Sequence, residues 1–431
     1  MKTTLKKIIT YILRKESQLV LYKYKPKIIV ITGSVGKTST KDAVYAVLSK
    51  ITYVRKSEKS YNSEIGLPLT ILGVPNGWSN PIIWLENICK GLWLIIWPSE
   101  YPKWLVLEAG IGQEGDMRRT ALWLKTDVVI ITAIGETPTH IEFFHSRKHL
   151  IEEKSSLIKT LKKDGLLILN ADDADVLEMK HKTKNITMTY GFKEGADFLG
   201  SGDNILYDNN EIPKGIIFRV DEKGDSLPVV IEGVFGRNHV YASLATLALA
   251  SGLKFNILNA IESLKNYDVP PGRMRLLKGI EGSLIIDDTY NSSPFACKAA
   301  LETLGQVKCS SRRIAVLGDM LELGKHTIET HTDVGKVAKE NCDALIVVGP
   351  RAKSIKEGAL EAGMKEGIIF EFLDSYEAGN FIKTFVQKGD LVLIKGSQGM
   401  RMERVVESVL LDKENKDTML VRQDEEWLKK K

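Results

Sequence analysis

Short apolar runs alternate with helical segments along most of the chain. The run KIIVIT (27–32) is rich in β-branched residues and is typical of a buried strand. Similar runs follow at 104–110, 127–135 and 165–172, and a helical pattern covers 146–161. Strands that alternate with helices predict a mostly parallel sheet with helices on both faces.

The pattern changes at residues 190–233, where short strand-like pieces are separated by turn residues and predict a small antiparallel extension. The segment DVPPGRMR (268–275) contains tandem prolines and a glycine, which favour an interdomain hinge. Beyond the hinge, strands and helices alternate again. We therefore predict an α/β protein with an arm, a central domain and a second α/β domain, at residues 1–26, 27–268 and 269–431.

The segment ITGSVGKTSTKD (31–42) follows the first strand and leads into a helical pattern. This order of strand, glycine loop and helix is the one that a phosphate-binding loop requires. Backbone N–H groups would cradle phosphate oxygens at the helix N-terminus, Lys37 would reach the terminal phosphates, and Thr38 would offer a hydroxyl to Mg²⁺. The first glycine, however, lies closer to Gly36 than in the usual loop. The candidate nucleotide-binding residues are Gly33, Ser34, Val35, Gly36, Lys37, Thr38 and Ser39.

Three further polar residues lie near the ends of predicted elements. Glu108 ends an apolar strand, His140 follows another, and Lys154 lies on the helical segment after it. Strand ends of an open parallel sheet converge on one crevice, where ligands bind. Taken singly, each residue also fits a simpler interpretation as a strand-end carboxylate, a loop histidine or a solvated lysine.

Composition excludes several classes of protein. The 431 residues suffice for two or three domains, and 43% hydrophobic and 27% charged residues are ordinary for a globular protein. A net charge of +5 is too small to indicate nucleic-acid binding. The four cysteines form no C-x-x-C pair, so metal and redox motifs are not expected, and a reducing cytoplasmic compartment is the simplest prediction.

Two apolar segments leave alternatives open. The first 25 residues are basic and place Leu5, Ile8, Ile9, Ile12 and Leu13 on one helical face. This helix would lie on a membrane surface or, as we favour, dock on the protein's own sheet. The tryptophan-rich segment 82–97 contains Glu86 and Lys90 and does not span a bilayer. Burial is favoured there over a docking patch or an interfacial helix.

Between residues 27 and about 411, the sequence resembles the Mur ligase family, the ATP-dependent amide-bond ligases of peptidoglycan synthesis. The resemblance rests on a set of motifs: TGSVGKTSTKD, YNSEIGLPLTIL, LEAGIGQEGDM, THIEFFHSRKHLIEEKSSLI, LNADD, PPGRMR, DDTYNSSP, LGDMLELG and KGSQGMRMERVV. It implies a central P-loop ATPase-like domain and a C-terminal Rossmann-like domain. The compact G-x-x-G-K-T loop would then be the ATP loop of this family.

The resemblance also implies a mechanism and roles for the site residues. ATP would phosphorylate a substrate carboxylate, and an amine would attack the acyl phosphate. Thr38 and Glu108 match positions that hold one Mg²⁺, and Glu108, His140 and Lys154 match positions around a second. In the family this lysine is carbamylated, which turns an amine into an oxygen ligand for a hard metal ion. Matched nucleotide contacts are Arg273, Asp288 and Asn291, and candidate substrate contacts are Asn62, His331, Lys395 and Ser397.

Within the family, the later motifs are most like those of the member that joins D-alanyl-D-alanine to a UDP-muramoyl-tripeptide. Three departures stand out: the segment before the first strand is too short for the usual UDP-binding domain, Asn238 and His239 are exchanged, and Gln398 replaces an arginine. One alternative is a ligase or amidating subunit for another cell-wall precursor, including a lipid-linked one. A nucleotide-binding regulatory subunit is the other.

We expect a cytoplasmic monomer with small-molecule substrates and no nucleic-acid partner. Contact with a membrane surface or a partner protein stays open.

Overall fold

The computed structural model describes residues 3–58, 64–135, 144–265 and 267–429. The strands of its first sheet are β1 (Lys27–Thr32), β2 (Val54–Lys56), β3 (Trp104–Glu108), β4 (Thr126–Ile131), β5 (Leu161–Asn170), β6 (Ile186–Gly191), β7 (Phe198–Tyr207), β8 (Pro213–Glu222) and β9 (Asp225–Glu232).

The first sheet combines a parallel and an antiparallel part. Its strand order is β2-β3-β1-β4-β5-β6-β7-β8-β9. The pairs from β2 to β7 are parallel, whereas β7, β8 and β9 pair antiparallel. The predicted antiparallel extension is confirmed and continues the parallel sheet edge to edge.

The second sheet lies C-terminal to the proline-rich segment. It consists of β10 (Arg275–Lys278), β11 (Leu284–Asp288), β12 (Arg313–Gly318), β13 (Ala344–Val348), β14 (Ile369–Phe372) and β15 (Leu391–Lys395). The strand order is β10-β11-β15-β12-β13-β14. The pair of β10 and β11 is antiparallel, and the other pairs are parallel. The predicted second α/β unit is thus present, with an antiparallel edge strand that the apolar pattern did not predict.

Helices cover both sheets. They are α1 (Thr3–Tyr24), α2 (Lys37–Ser49), α3 (Gly66–Leu72), α4 (Pro81–Ile96), α5 (Asp116–Ala121), α6 (Arg147–Ser155), α7 (Ala174–Leu177), α8 (Arg237–Gly252), α9 (Ile257–Lys265), α10 (Pro294–Gln306), α11 (Thr327–Asn341), α12 (Lys353–Glu361), α13 (Ser375–Phe385), α14 (Glu403–Val409), α15 (Lys416–Met419) and α16 (Glu425–Leu428).

The central strand β1 sets the position of the glycine loop that follows it. Every residue of β1 after Lys27 is buried, as expected for a strand covered by helices on both faces. One face of the sheet packs on α2 and α8, and the other packs on the layer that contains α3. The loop after β1 therefore emerges at the carboxyl edge of the sheet, where an open α/β fold binds ligands.

The amphipathic start of the chain docks on the protein. Helix α1 packs against α3 and α4 through Ile9, Leu13 and Val20, while Ile8 faces solvent. Helix α1 therefore docks on the protein as predicted, but its main contacts are with helices α3 and α4 instead of the sheet. The buried stripe also differs from the predicted one, because it continues to Val20 and leaves Ile8 in solvent. Within the described ranges, no helix is long and apolar enough to cross a membrane.

The expectation of burial fails for much of the tryptophan-rich helix. In α4, the buried positions are Trp84, Asn87, Gly91 and Leu94. Trp93 and Trp97 stay about half exposed. The helix is apolar on both faces, so one apolar face is left in solvent after the other has packed.

Leu13→Ala tests the docking of α1. Leu13 is fully buried, so its truncation should lower the free energy of unfolding by about 2–5 kcal/mol. Leu19→Ala, on the exposed side of the same helix, should change it by no more than about 0.5 kcal/mol. Urea denaturation followed by circular dichroism measures both. Equal effects of the two variants would contradict the docking.

Candidate active site

The glycine loop is held against the end of β4. The N–H groups of Ser34 and Val35 donate to the carbonyl of Ala133, at 2.7 and 3.1 Å. Thr132 Oγ1 donates to the carbonyl of Val35 at 2.7 Å. Gly33 has φ 145°, and a Cβ there would lie 1.9 Å from Thr132 Oγ1. The loop can approach the strand this closely only because residue 33 is glycine.

The loop leads into the N-terminus of α2, a long helix that begins at Lys37. Gly36 precedes it in the left-handed region, with φ 84°. The first N–H groups of a helix lack intrahelical acceptors and favour an anion. Ser34 Oγ is buried and has no hydrogen-bond partner among the described residues. Its position beside these N–H groups fits a polar ligand such as a phosphate.

A hydroxyl, a carboxylate and a guanidinium meet beside the loop. Glu108 ends β3 and lies in register with Ile31 on the neighbouring β1. Thr38 Oγ1 lies 3.0 Å from Glu108 Oε2, and Arg273 Nη2 donates to Thr38 Oγ1 at 3.3 Å. Arg273 comes from the proline-rich segment, so this segment reaches the nucleotide loop directly.

Lys154 lies beneath the loop rather than in solvent. Helix α6 places its side chain in the interior, where Nζ donates to the carbonyl of Gly33 at 2.8 Å. Burial, and secondly the charge of Lys37, hold the pKa of Lys154 well below the ordinary lysine value. Removal from water also lowers the pKa of Lys37, while Glu108 opposes this shift and Arg273 adds to it. The region is rich in cationic groups and suits an anionic ligand.

The oxygen atoms of Thr38 and Glu108 are suitable ligands for Mg²⁺. Among the described residues, no group of three or more His, Cys, Asp or Glu side chains could hold a metal ion. Mg²⁺ commonly binds through one or two protein oxygens together with waters and substrate phosphates. The Thr38–Glu108 pair beside a phosphate loop fits that mode. His140 and Asn62 lie outside the described residues.

The second sheet supplies the opposite wall of the cleft. Asp288 ends β11 and Lys395 ends β15, and these neighbouring strand ends bring the two side chains to 2.6 Å. Lys395 Nζ also donates to the carbonyl of Asn291 at 2.9 Å. Asp288 Oδ1 accepts the N–H of Met274 at 3.2 Å. Asp288 therefore connects the proline-rich segment to this wall.

The structure does not bring every predicted substrate residue into the cleft. His331 is fully buried, with Nε2 3.0 Å from the N–H of Met320 and Nδ1 2.6 Å from the carbonyl of Thr327. Ser397 Oγ accepts the N–H of Leu321 at 2.8 Å. Both side chains therefore form hydrogen bonds with the backbone of neighbouring segments. Their contact with the substrate stays a prediction.

The sequence motifs did not identify Tyr290 and Arg422 as residues that support the site. The Arg273 guanidinium lies 3.9 Å from the centre of the Tyr290 ring, and Arg422 donates to the carbonyls of Thr289 and Tyr290. Arg422 Nη1 also donates to Glu403 Oε2 at 2.8 Å. The C-terminal segment thus supports the loop that follows Asp288. The tyrosine in DDTYNSSP was the available signal for this aromatic contact, whereas the position of Arg422 required the fold.

His239 lies under the proline-rich segment and fixes its backbone. Its Nε2 lies 2.8 Å from the carbonyl of Arg273, and its Nδ1 contacts the hydroxyl of Tyr267. Burial lowers the pKa of His239 to about 4, so the ring is neutral near pH 7. The imidazole of His239 therefore fixes the backbone of Arg273.

One cleft between the two sheets collects most of the predicted nucleotide residues. Its lining contains residues 34–39, Glu108, Asn238, His239, Arg273, Met274, Asp288, Tyr290, residues 291–293, Ala296 and Lys395. Gly33 directly precedes Ser34 in this lining, and Lys154 contacts Gly33 from beneath. One wall of the cleft is a phosphate-binding loop, and the other is formed by strand ends of the second α/β sheet. This arrangement is typical of a nucleotide-binding protein with two α/β domains.

Comparison with known proteins agrees with this architecture. Residues 31–250 match the Mur ligase middle domain, and residues 272–398 match the Mur ligase glutamate ligase domain. The UDP-N-acetylmuramoyl-tripeptide–D-alanyl-D-alanine ligase of Bacillus subtilis (strain 168) is 31% identical over 387 residues, which are 89% of this chain and 76% of that protein. The chain belongs to the Mur ligase family.

Solved structures extend the comparison to the fold. The crystal structure of MurF ligase from Thermotoga maritima in complex with ADP has a TM-score of 0.76 and 27% identity, and it covers 93% of this chain and 83% of that one. Folylpolyglutamate synthase from Mycobacterium tuberculosis, complexed with ADP and AMPPCP, has a TM-score of 0.65 at 14% identity, over 92% and 94% of the two chains. The second likeness concerns the fold alone.

Gly33→Ala tests the contact between the loop and β4. The added Cβ would meet Thr132 Oγ1, so the loop must move, and ATP affinity should fall by about 100-fold or more. Gly224→Ala is the matched control, because Gly224 also has a positive φ but has nothing within 4 Å of the added Cβ. Isothermal titration calorimetry measures both affinities. Unchanged ATP binding by Gly33→Ala would show that the loop does not need this approach.

Proposed function

We propose that this protein joins D-alanyl-D-alanine to the peptide carboxylate of a UDP-N-acetylmuramoyl-tripeptide, with ATP converted to ADP and phosphate. The observation that carries the proposal is the cleft itself, in which Lys37, Thr38 and Glu108 from one sheet face Arg273 and Asp288. The name of the Bacillus subtilis relative supports the choice of substrates. The ADP bound to the Thermotoga maritima protein supports the use of ATP.

The reaction has two chemical steps. A carboxylate oxygen attacks the γ-phosphorus of ATP, the bond to the β-phosphate oxygen breaks, and ADP leaves. The amine of D-alanyl-D-alanine then attacks the acyl carbon, and the tetrahedral intermediate expels phosphate as the amine loses its proton. The first step brings two anions together, so cationic groups must offset their repulsion. Lys37 and Arg273 are placed to do this at the phosphate end.

We assign two Mg²⁺ sites from the chemistry of the side chains. Thr38 and Glu108 would hold one ion, and Glu108, His140 and Lys154 would surround a second. Bound Mg²⁺ supplies positive charge to the phosphates and to the carboxylate. For the second site, Lys154 must become an oxygen ligand, which carbamylation by CO₂ provides. Only a neutral amine reacts with CO₂, and the lowered pKa of Lys154 favours that form.

Closure of two domains would protect the acyl phosphate. We assign the arm to residues 1–26, the ATP-binding domain to 27–268 and the C-terminal domain to 269–431. The hinge at Pro270 and Pro271 precedes Gly272, whose N–H donates to Asp287 Oδ2 at 3.0 Å. Rotation about this segment would open the wall formed by Asp288 and Lys395. Closure would exclude water from an intermediate that water hydrolyses.

A product assay tests the proposed reaction. The protein receives ATP, Mg²⁺, D-alanyl-D-alanine and a panel of muramoyl peptides, with and without UDP and with a lipid-linked member. Mass spectrometry should detect a UDP-muramoyl-pentapeptide, with one ADP formed per amide bond. An amide product from another precursor alone would overturn the substrate assignment but not the ligase. No ADP with any member of the panel would favour a regulatory nucleotide-binding subunit.

Lys37→Ala should lower kcat/KM by about 10²–10³-fold, because it removes a cation that stabilises charge on the transferred phosphoryl group. Folding should change little, since the Lys37 side chain faces the cleft. Lys50→Ala, at the exposed position directly after α2, is the matched control and should keep full activity. A folded Lys37→Ala protein with normal turnover would contradict the assignment of the loop.

Lys154→Ala should lower activity by about 100-fold, since it removes a proposed metal ligand. Acetate should restore part of the activity, because it supplies a carboxylate in the space left by the side chain. Removal of CO₂ should reversibly inactivate the unmodified protein, and a fall in pH should act in the same direction, because protonation of the amine blocks the reaction with CO₂.

Lys159→Ala, an exposed lysine four residues after the end of α6, is the control for both treatments. Addition of ¹³CO₂ should give a carbamate carbon signal that Lys154→Ala lacks. Full activity of Lys154→Ala would refute the carbamate. So would the absence of the carbamate signal from the unmodified protein, even if Lys154→Ala is inactive.

A further inference from the structure

Helix α4 carries an apolar stripe that faces solvent. Its exposed positions follow heptad spacing and are Ile82, Leu85, Cys89, Leu92 and Ile96. Trp93 and Trp97 add to the stripe, with ring centres 4.6 Å apart, and they are 55% and 48% exposed. Such a contiguous apolar face is typical of a surface that binds another protein or a membrane.

Helix α1 carries a second exposed stripe at similar spacing. It consists of Ile8, Tyr11, Leu19 and Tyr22. The cations of Arg14 and Lys15 lie 5.5 and 5.7 Å from the centre of the Tyr11 ring. Aromatic side chains with neighbouring lysines and arginines are enriched at the boundary between lipid and water.

The two helices are fixed to each other, so their outer faces form one surface. Lys23 Nζ donates to the carbonyls of Leu94 and Trp97, at 2.9 and 2.7 Å. Glu16 contacts Gly91 so closely that a Cβ at residue 91 would lie 2.2 Å from its Oε2. Both helices also pack inward against α3. We call the outward side of α1 and α4 the α1–α4 face.

The two helices of this face carry a positive net charge, although Arg14 lies 4.0 Å from Glu64. Helix α1 contains five basic residues, and its one acidic residue, Glu16, is buried. Helix α4 adds Lys90 and Glu86. The exposed ends of Lys6, Lys7 and Lys15 are therefore opposed by a single exposed carboxylate on the two helices. Each lysine or arginine near an anionic bilayer adds attraction that salt weakens.

We propose that the α1–α4 face binds the surface of an anionic lipid bilayer, with the apolar stripes and tryptophans at the acyl boundary and the lysines among the headgroups. A second copy of the chain is the main competing occupant. A two-fold interface would place this basic face against itself, and the like charges would repel. An anionic bilayer complements both the apolar stripes and the lysines. The proposal is independent of the substrate assigned to the cleft.

Vesicle flotation with the full chain tests the proposal. The vesicles contain phosphatidylcholine alone or phosphatidylcholine with phosphatidylglycerol. We expect binding to the anionic vesicles, weakened at least tenfold by 0.5 M NaCl, and a blue shift of tryptophan fluorescence on binding. Binding of equal strength to both vesicle types, or to neither, would overturn the proposal.

Matched variants locate the contact. Trp93→Ser with Trp97→Ser, and separately Lys6→Gln with Lys7→Gln, should each weaken vesicle binding at least tenfold. The controls are Ile186→Ser with Leu373→Ser, both 73% exposed elsewhere, and Lys180→Gln with Lys182→Gln. The controls should bind as the unmodified protein does, and ATP affinity should be the same in all variants. Equal losses in the controls would refute the α1–α4 face as the contact.

Light scattering distinguishes binding to a bilayer from binding to a second copy of the chain. A monomer in solution that binds anionic vesicles is the expected result. A concentration-dependent dimer that Trp93→Ser disrupts, without vesicle binding, would assign the face to a second copy and overturn the proposal.

Discussion

The cleft depends on the close approach of the glycine loop to the end of β4. Gly33 leaves no space for a Cβ against Thr132, and the carbonyl of Ala133 accepts the next two N–H groups. This contact fixes where α2 begins and therefore where Lys37 and Thr38 project. Lys154 holds the same turn from beneath through the carbonyl of Gly33. Backbone packing thus sets the shape of the glycine loop.

Electrostatics then decides what the cleft can hold. Glu108 and Arg273 meet at Thr38, Lys37 lies near both, and Lys154 lies beneath the loop near Lys37. Removal from water lowers the pKa of both lysines. An anionic ligand would relieve the repulsion among these cationic groups, and Mg²⁺ would use the oxygens of Thr38 and Glu108. The proline-rich segment contributes Arg273, whose carbonyl is fixed by His239 and whose guanidinium lies on Tyr290. The second sheet is therefore coupled to the nucleotide loop through one short segment.

Sequence patterns predicted the features that depend on local order. The strand at 27–32, the loop after it and the restart of α/β alternation beyond the prolines all follow from periodicity and glycine position. The pattern also identified the position of Lys154 as a candidate, but its bond to Gly33 depends on contact between residues 121 positions apart. Arg422, which supports Tyr290 from the C-terminal segment, gave no local signal. The exposed side of α4 was missed because an apolar helix has the same composition whether one or both faces are covered.

Transfer of ¹⁸O from the donor carboxylate tests the central claim most directly. The muramoyl-tripeptide is labelled with ¹⁸O at the reacting carboxylate and incubated with ATP, Mg²⁺ and D-alanyl-D-alanine, and the released phosphate is analysed by mass spectrometry. An acyl phosphate formed in this cleft requires one ¹⁸O atom in each phosphate, in proportion to the amide formed. Amide formation with unlabelled phosphate would contradict activation of the carboxylate by ATP.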